Sequence, residues 1–314
     1  MRTELDPTVV CGLVSDAARM GYQVVSFSGG EPFLYSGLHE VLQHAKSLGL
    51  RTTVTTNGYF LQPRRLESVR NFVDVLAVSL DGPPELHNRL RGSPQAFDRL
   101  CAGLKSLRTS GLNFGFIHTL TQETWEHLPW IAEFAAASGA RLLQLHPLEM
   151  AGRGEGLGAL CAEEDGLAKA YLLASVLAAK YRGAITVHVD LLHREQVLRF
   201  PQMVYADDLP SNWNENTPAD LLGLMVMEAD GSVVPISYGF SRRYLICSLK
   251  EQSLHKGWQS FLNQGYPDFR RLCRGLFEEL ISPNQRPLFN WHERVVARSQ
   301  VSTSLPVAAH SSAA

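Results

Sequence analysis

From about residue 7 to residue 147 the chain alternates short β-rich runs with amphipathic helical runs, a pattern that restricts it to parallel strands joined by crossover helices. Helical periodicity over Pro7 to Met20 leads into the β-rich run Tyr22 to Phe27, which Ser28-Gly29-Gly30 ends. The unit then recurs. A helix from Gly37 to Leu48 precedes a strand from Arg51 to Thr56 and the turn Asn57-Gly58. A helix from Pro63 to Arg70 precedes a strand from Val73 to Leu80, closed by Asp81-Gly82. Helix Ala96 to Thr109, strand Asn113 to Leu120, helix Thr124 to Ser138 and strand Arg141 to Pro147 continue the series. Right-handed crossovers put the loops that follow the strands on one rim of an open or closed barrel. Those loops are Ser28 to Pro32, Thr55 to Gly58, Ser79 to Pro83, His118 to Thr121 and His146 to Met150.

Beyond Gly152 a glycine-rich loop leads to a helix over about Glu163 to Arg182 and a strand from Ala184 to Val189. Residues 1–200 therefore read as one α/β core. The stretch 201–218 is rich in Pro, Asp and Asn and reads as a linker. A small module follows over 219–295, with a hairpin signal from Leu222 to Ser237 turning at Asp230-Gly231 and a helix beginning near Glu251. Residues 296–314 read as a tail, frayed from Val301 onward.

Charge and hydropathy narrow the partners. A formal net charge of -2 with no long basic run offers no footprint for nucleic acid or an anionic membrane surface. The apolar stretch Tyr171 to Ala179 is far shorter than the roughly 18 residues a bilayer span needs. The N-terminus has no apolar signal region, so a cytoplasmic location is expected. Five cysteines, widely spaced and without a C-x-x-C pair, argue against a disulfide framework.

The sharpest motif is Ser28-Gly29-Gly30-Glu31-Pro32, directly after a strand. Two glycines let the backbone approach a ligand, the proline stiffens the exit, and the glutamate accepts from an ammonium group. An ordinary strand-to-helix turn would use the same residue types. Thr55-Thr56-Asn57-Gly58, Val78-Ser79-Leu80-Asp81-Gly82-Pro83 and His87-Asn88-Arg89-Leu90-Arg91-Gly92 follow at or just beyond successive strand ends. His118 and His146 stand on later strands, where they would point along the barrel or into its mouth.

Together these loops resemble the radical S-adenosylmethionine (radical SAM) superfamily. The resemblance is to the SPASM- or twitch-bearing branch that includes anaerobic sulfatase maturases and the PQQ and molybdenum cofactor biosynthesis proteins. It is good over roughly residues 5 to 150 and holds in outline beyond. It implies a partial TIM-type (β/α)6 parallel barrel that lacks its first strand, with a small C-terminal α+β twitch-like module serving as a cap without a cluster. It implies S-adenosylmethionine and a 4Fe-4S cluster as cofactors, a peptide or small-molecule substrate that loses hydrogen to a 5′-deoxyadenosyl radical, and an electron donor such as flavodoxin or ferredoxin. By the same resemblance Gly29, Gly30, Glu31 and Pro32 hold the methionyl amino group, with Thr56 and Asn57 lining the pocket. Ser79 and Asp81 would sit near the ribose or carboxylate, and Arg91 would pair with the carboxylate. Ser79 and Asp81 could instead cap the following helix, and Arg91 could be a solvated surface charge. Leu143 and Leu145, core residues by their apolar character, would flank the adenine.

The family's C-x-x-x-C-x-x-C run is not in this sequence. Cys11 reads as a small buried hydrophobe on a helix, and Cys247 and Cys273 read as structural. The sequence is accordingly expected to be part of a radical SAM enzyme whose cluster segment precedes Met1, inactive without it. A degenerate homologue that binds S-adenosylmethionine or a peptide as a partner subunit is the alternative. With one barrel strand missing, the helix over Pro7 to Met20 is expected to leave apolar surface and a sheet edge bare, lowering stability or favouring association.

Overall fold

The computed structural model describes residues 4–149, 156, 158–204 and 217–301. Helix α1 (Pro7–Arg19) starts where Asp6 accepts a hydrogen bond from the Thr8 amide at 2.8 Å and Pro7 presets the first turn. Then follow β1 (Val24–Phe27), α2 (Leu38–Ser47), β2 (Arg51–Thr56), α3 (Pro63–Val69), β3 (Val75–Ser79), α4 (Pro84–Leu90) and α5 (Ala96–Ser110). The series continues with β4 (Phe114–Leu120), α6 (Leu128–Ser138), β5 (Leu142–Pro147), α7 (Glu164–Lys180) and β6 (Thr186–Val189). The six strands form one sheet in chain order, every pair parallel, an α/β partial barrel of the TIM type.

Strand alternation divides the sheet. Leu76 and Val78 on β3, Phe116 on β4, and Leu143 and Leu145 on β5 are fully buried under the helices, against side chains such as Leu66, Leu104 and Ile131. The alternate residues form the inner face. Register sets Ser79 beside Ile117, Ile117 beside Gln144, and Gln144 beside His188, a continuous row across β3 to β6. Gly115 belongs to this face because of how closely β5 approaches: an added Cβ would lie 2.6 Å from the Leu142 carbonyl oxygen. Gly115→Ala is expected to cost about 2 kcal/mol by overpacking against backbone that cannot retreat. Gly12→Ala on α1, where an added Cβ meets nothing within 4 Å, should be neutral or mildly stabilising. Urea unfolding of the two variants checks the contrast.

The rest of the chain contains β7 (Leu192–His193), α8 (Arg194–Arg199), α9 (Pro218–Leu221), β8 (Met225–Met227), β9 (Ser232–Pro235) and β10 (Cys247–Ser248). It ends with α10 (Leu254–Gln264), α11 (Tyr266–Leu280), β11 (Leu288–Phe289) and α12 (Trp291–Gln300). The hairpin expected around Asp230-Gly231 forms as β8 and β9, and β10 adds a third antiparallel strand. The helix expected near Glu251 begins at Leu254, with the Ser253 side chain accepting from the Lys256 amide. Trp258, Phe261, Tyr266 and Phe269 form a contiguous aromatic core for these helices. The glycine-rich segment 150–155, most of the linker (205–216) and the tail from 302 lie outside the described residues.

Two expectations change. The stretch carrying His87 and Arg91 contains a short helix, α4, started by Pro83-Pro84 rather than by a side-chain cap from Ser79 or Asp81. Helix α1 is also not bare. Its Val10 and Val14 pack on Val41 and Ala45 of α2. Leu13, Ala17 and Met20 join the aromatic core of the C-terminal elements, and Asp16 accepts from the His255 amide at 3.2 Å. The expected sheet edge is present: β1 is the outer strand, with Val24 51% exposed.

Candidate functional site

The strand-end loops meet through one side chain. Glu31 Oε1 accepts from the Phe33 amide at 3.2 Å and from the Thr56 hydroxyl at 2.9 Å, and Oε2 accepts from the Asn57 amide at 2.9 Å. The carboxylate thus ties the loop after β1 to the loop after β2. Of its roughly four acceptor positions, three are filled and one on Oε2 remains. Thr56 in turn accepts from the Gly58 amide, and Asn57 Oδ1 from the Tyr59 amide at 2.9 Å, which fixes the second loop. Beside this brace Gly29 has φ 107°, a left-handed conformation that favours glycine. An added Cβ at Gly29 or Gly30 meets nothing within 4 Å, so both glycines border open space. Pro32 starts a short 3-10 turn to Leu34 that carries the chain away from the rim.

A second group forms at the end of β3. Asp81 is 4% exposed, and Arg91 grips it with Nε at 2.6 Å from Oδ2 and Nη2 at 3.1 Å from Oδ1. His87 Nδ1 accepts from the Asp81 amide at 3.2 Å. Burial lowers the His87 pKa to about 4, so the ring is neutral at physiological pH. Arg91 is therefore not a solvated surface charge: its Nε and Nη2 are bound to Asp81. Ser79 lies on the inner face at 8% exposure.

Later strands correct two further expectations. His118 points away from the barrel mouth, because β4 alternation sends it to the helix side with Phe116 and Leu120. There it is fully buried, with Nδ1 2.9 Å from the Leu80 carbonyl. Leu143 and Leu145 lie in the same helix-side core rather than beside an adenine. His146 does face the inner side, and it gathers groups the sequence reading missed. Its Nδ1 lies 2.9 Å from Asp190 Oδ2 and its Nε2 3.4 Å from Glu149 Oε1. Asp190 also receives Gln144 Nε2 at 2.9 Å and His188 Nδ1 at 3.1 Å, and Asn290 Nδ2 donates to Glu149 at 3.0 Å. The sequence signal that could have found this group is period two: residues 144, 146, 188 and 190 all fall on one face once β5 and β6 are paired.

Comparison with known proteins supports the resemblance. Residues 2–135 match the model of the Radical SAM superfamily, and the chain is similar to that superfamily over this stretch. Its relatives span the SPASM/twitch-type branch of these radical SAM proteins. They include an AdoMet-dependent heme synthase of Oleidesulfovibrio alaskensis, 30% identical over 51% of this chain and 42% of that protein. A PqqA peptide cyclase of Ruegeria pomeroyi is 29% identical over 45% of this chain and 38% of that protein. The match thus spans about two fifths of these relatives' lengths. Among solved structures, Streptococcus suis SuiB bound to S-adenosylmethionine superposes with a TM-score of 0.65 at 15% identity, covering 86% of this chain and 62% of SuiB. Native anSMEcpe with bound AdoMet gives 0.63 at 15% identity, covering 94% of this chain and 86% of that one. These two show the partial-barrel fold.

The superfamily's two cofactors fare differently against this chain's residues. The open, glycine-bordered rim beside Glu31, with one acceptor position left on the carboxylate, fits the methionyl end of S-adenosylmethionine. A 4Fe-4S cluster does not fit the five cysteines. Cluster ligation needs several thiolates at close, defined spacing, and these five are Cys11, Cys101, Cys161, Cys247 and Cys273, the last two of them buried. Among the described residues no three His, Cys, Asp or Glu side chains are grouped to hold a metal. No helix among them is long and apolar enough to cross a membrane.

Proposed function

We propose that this chain is the S-adenosylmethionine-holding portion of a radical SAM enzyme that acts on a peptide or small metabolite. The observation that carries the reading is the Glu31 brace, which joins two rim loops and leaves Gly29 and Gly30 facing open space. In this reading the backbone of Gly29 and Gly30 receives the methionyl group, and the remaining lone pair of Glu31 Oε2 takes one ammonium proton. Pro32, Thr56 and Asn57 keep that cradle rigid. Asp81 and Arg91 act as one neutralised unit that shapes the neighbouring rim, with Ser79 beside it on the inner face. Preorganisation is the main contribution, because a ligand that meets fixed donors and acceptors loses less in ordering them.

A relative named as PqqA peptide cyclase and the structure of Streptococcus suis SuiB bound to precursor peptide SuiA support a peptide as the substrate. An electron donor such as flavodoxin or ferredoxin belongs to the same proposal. The cluster is assigned to thiols other than this chain's five. Titration calorimetry of this chain with S-adenosylmethionine is the test: saturable one-to-one binding is expected, and an absence of heat at millimolar ligand would overturn the reading.

A further inference from the structure

The inner face carries a second constellation, separate from the rim loops around Glu31. His188 on β6 stands directly across from Gln144 on β5, in the row that runs through Ile117 to Ser79. Its side chain is 64% exposed, the most open of the group. One ring nitrogen, Nδ1, lies 3.1 Å from Asp190 Oδ1, while the other oxygen of Asp190 is held by His146 Nδ1 and Gln144 Nε2, each at 2.9 Å. Asp190 continues the strand ladder, its amide donating to the Leu145 carbonyl at 2.9 Å, so its position is set by the sheet and not by a loop. The carboxylate is therefore fixed from three sides.

We propose that His188, oriented by Asp190, is a proton-accepting residue of the inner face, serving a hydroxyl, thiol or ammonium group of a substrate seated there. The step is redox-neutral. The substrate's X–H bond breaks heterolytically, its electron pair stays on X, and the proton forms an N–H bond at His188 Nε2. The Nδ1 proton remains on the imidazole, hydrogen-bonded to Asp190, whose charge offsets the new imidazolium. The proton then leaves to solvent from the exposed ring. An imidazole whose Nδ1 donates to a fixed carboxylate presents Nε2 as the acceptor, an arrangement suited to a histidine that takes a proton.

The surrounding charges make His188 the member of the group that can exchange protons. His146 sits between Asp190 and Glu149, which occupy both of its nitrogens and keep it charged. Asp190 has all its contacts inside the group. From the C-terminal helix α12, His292 faces Glu149 and Asp190, and Glu293 faces Glu149 and His146 beside its neighbour Arg294. Glu293 is pushed above its ordinary pKa by burial and then by Glu149. The hydrogen bond that His188 Nδ1 donates to Asp190 lifts His188 above the ordinary histidine value, towards the range where a base is effective near neutrality. The proposal rests on the reading that this chain is part of a radical SAM enzyme acting on a peptide or small metabolite, but its test does not involve S-adenosylmethionine.

The experiment is site-resolved modification of the whole chain by diethyl pyrocarbonate, which reacts with neutral imidazole, mapped by mass spectrometry between about pH 5 and about pH 9 beside a histidine NMR titration. His188 is expected to be carbethoxylated at Nε2, with a midpoint above the ordinary value of about 6.5. Asp190→Asn should lower that midpoint, so that modification of His188 becomes several-fold faster at about pH 6 and slower at about pH 9, a crossover a purely structural role would not produce. Exposed His39, whose Nδ1 faces a carbonyl, serves as the internal reference and should not change. An unreactive His188, modification at Nδ1, or a midpoint indifferent to Asp190→Asn would overturn the proposal, and none of these outcomes bears on calorimetric binding of S-adenosylmethionine.

Discussion

Glu31→Ala is expected to weaken S-adenosylmethionine binding beyond calorimetric detection and to lower the melting temperature by on the order of 5 °C. The side chain accepts from two backbone amides and one hydroxyl across a gap between two loops, at 2.9 to 3.2 Å. Hydrogen bonds to a charged acceptor contribute about 1.5–3 kcal/mol each when measured singly, and three that share one carboxylate are not additive. A net loss of about 3 kcal/mol follows for a partly exposed site. Glu31→Gln separates bracing from charge. A carboxamide in either orientation sets its NH2 against a backbone N–H, that of Asn57 or that of Phe33. One donor is left unsatisfied, and the binding loss should exceed 10-fold while the fold persists. Unaltered affinity in both variants would remove Glu31 from the site.

That brace was half legible in the sequence. Gly29, Gly30 and Glu31 after a strand mark a loop that approaches a ligand, and Thr56-Asn57 marks a turn at the next strand end. Nothing in sequence spacing shows that Glu31 reaches 25 residues along the chain to Thr56. The parallel order of β1 and β2 brings them together, and it follows from the β–α–β alternation once the crossover rule is applied. The Asp81 partner of Arg91 was not legible for a related reason. The Arg91 charge pointed to a ligand, whereas α4 folds it back ten residues onto Asp81. A helix of seven residues that begins with two prolines leaves too short a periodic trace to be read. His118 and His146 look alike in sequence. Only the phase of each strand separates them, since a shift of one residue exchanges the helix-side core for the inner face. Period two could have put 144, 146, 188 and 190 of the Asp190 group on one face, but Glu149 and Asn290 come from outside those strands and only tertiary structure brings them in.

The same group gives the protein an asymmetric response to alkali. Burial on its own would depress the His146 pKa, but hydrogen bonds to Asp190 and then Glu149 override it and hold the ring at about 10. In the unfolded chain the value returns to about 6.5. A group whose folded pKa is the higher one binds an extra proton on folding, so its contribution is complete below about pH 6.5 and is lost as pH rises towards 10. Asp190 acts in the opposite direction. Despite burial, its bonds from His146, His188 and Gln144 hold it well below the carboxylate range, so its contribution fails only in acid, below the unfolded value of about 3.9. Between these limits the pair is intact. The full shift of His146 would correspond to almost 5 kcal/mol, but its side chain is 32% exposed and screened by water, which leaves about 1–3 kcal/mol. Urea unfolding at about pH 6 and about pH 9.5 should show the wild-type protein losing that amount more than His146→Gln does, because the variant carries no titrating ring at this position. Equal alkaline losses in the two proteins would mean that His146 is not held as an imidazolium, and that the carboxylate orienting His188 is not fixed in the way the inner face requires.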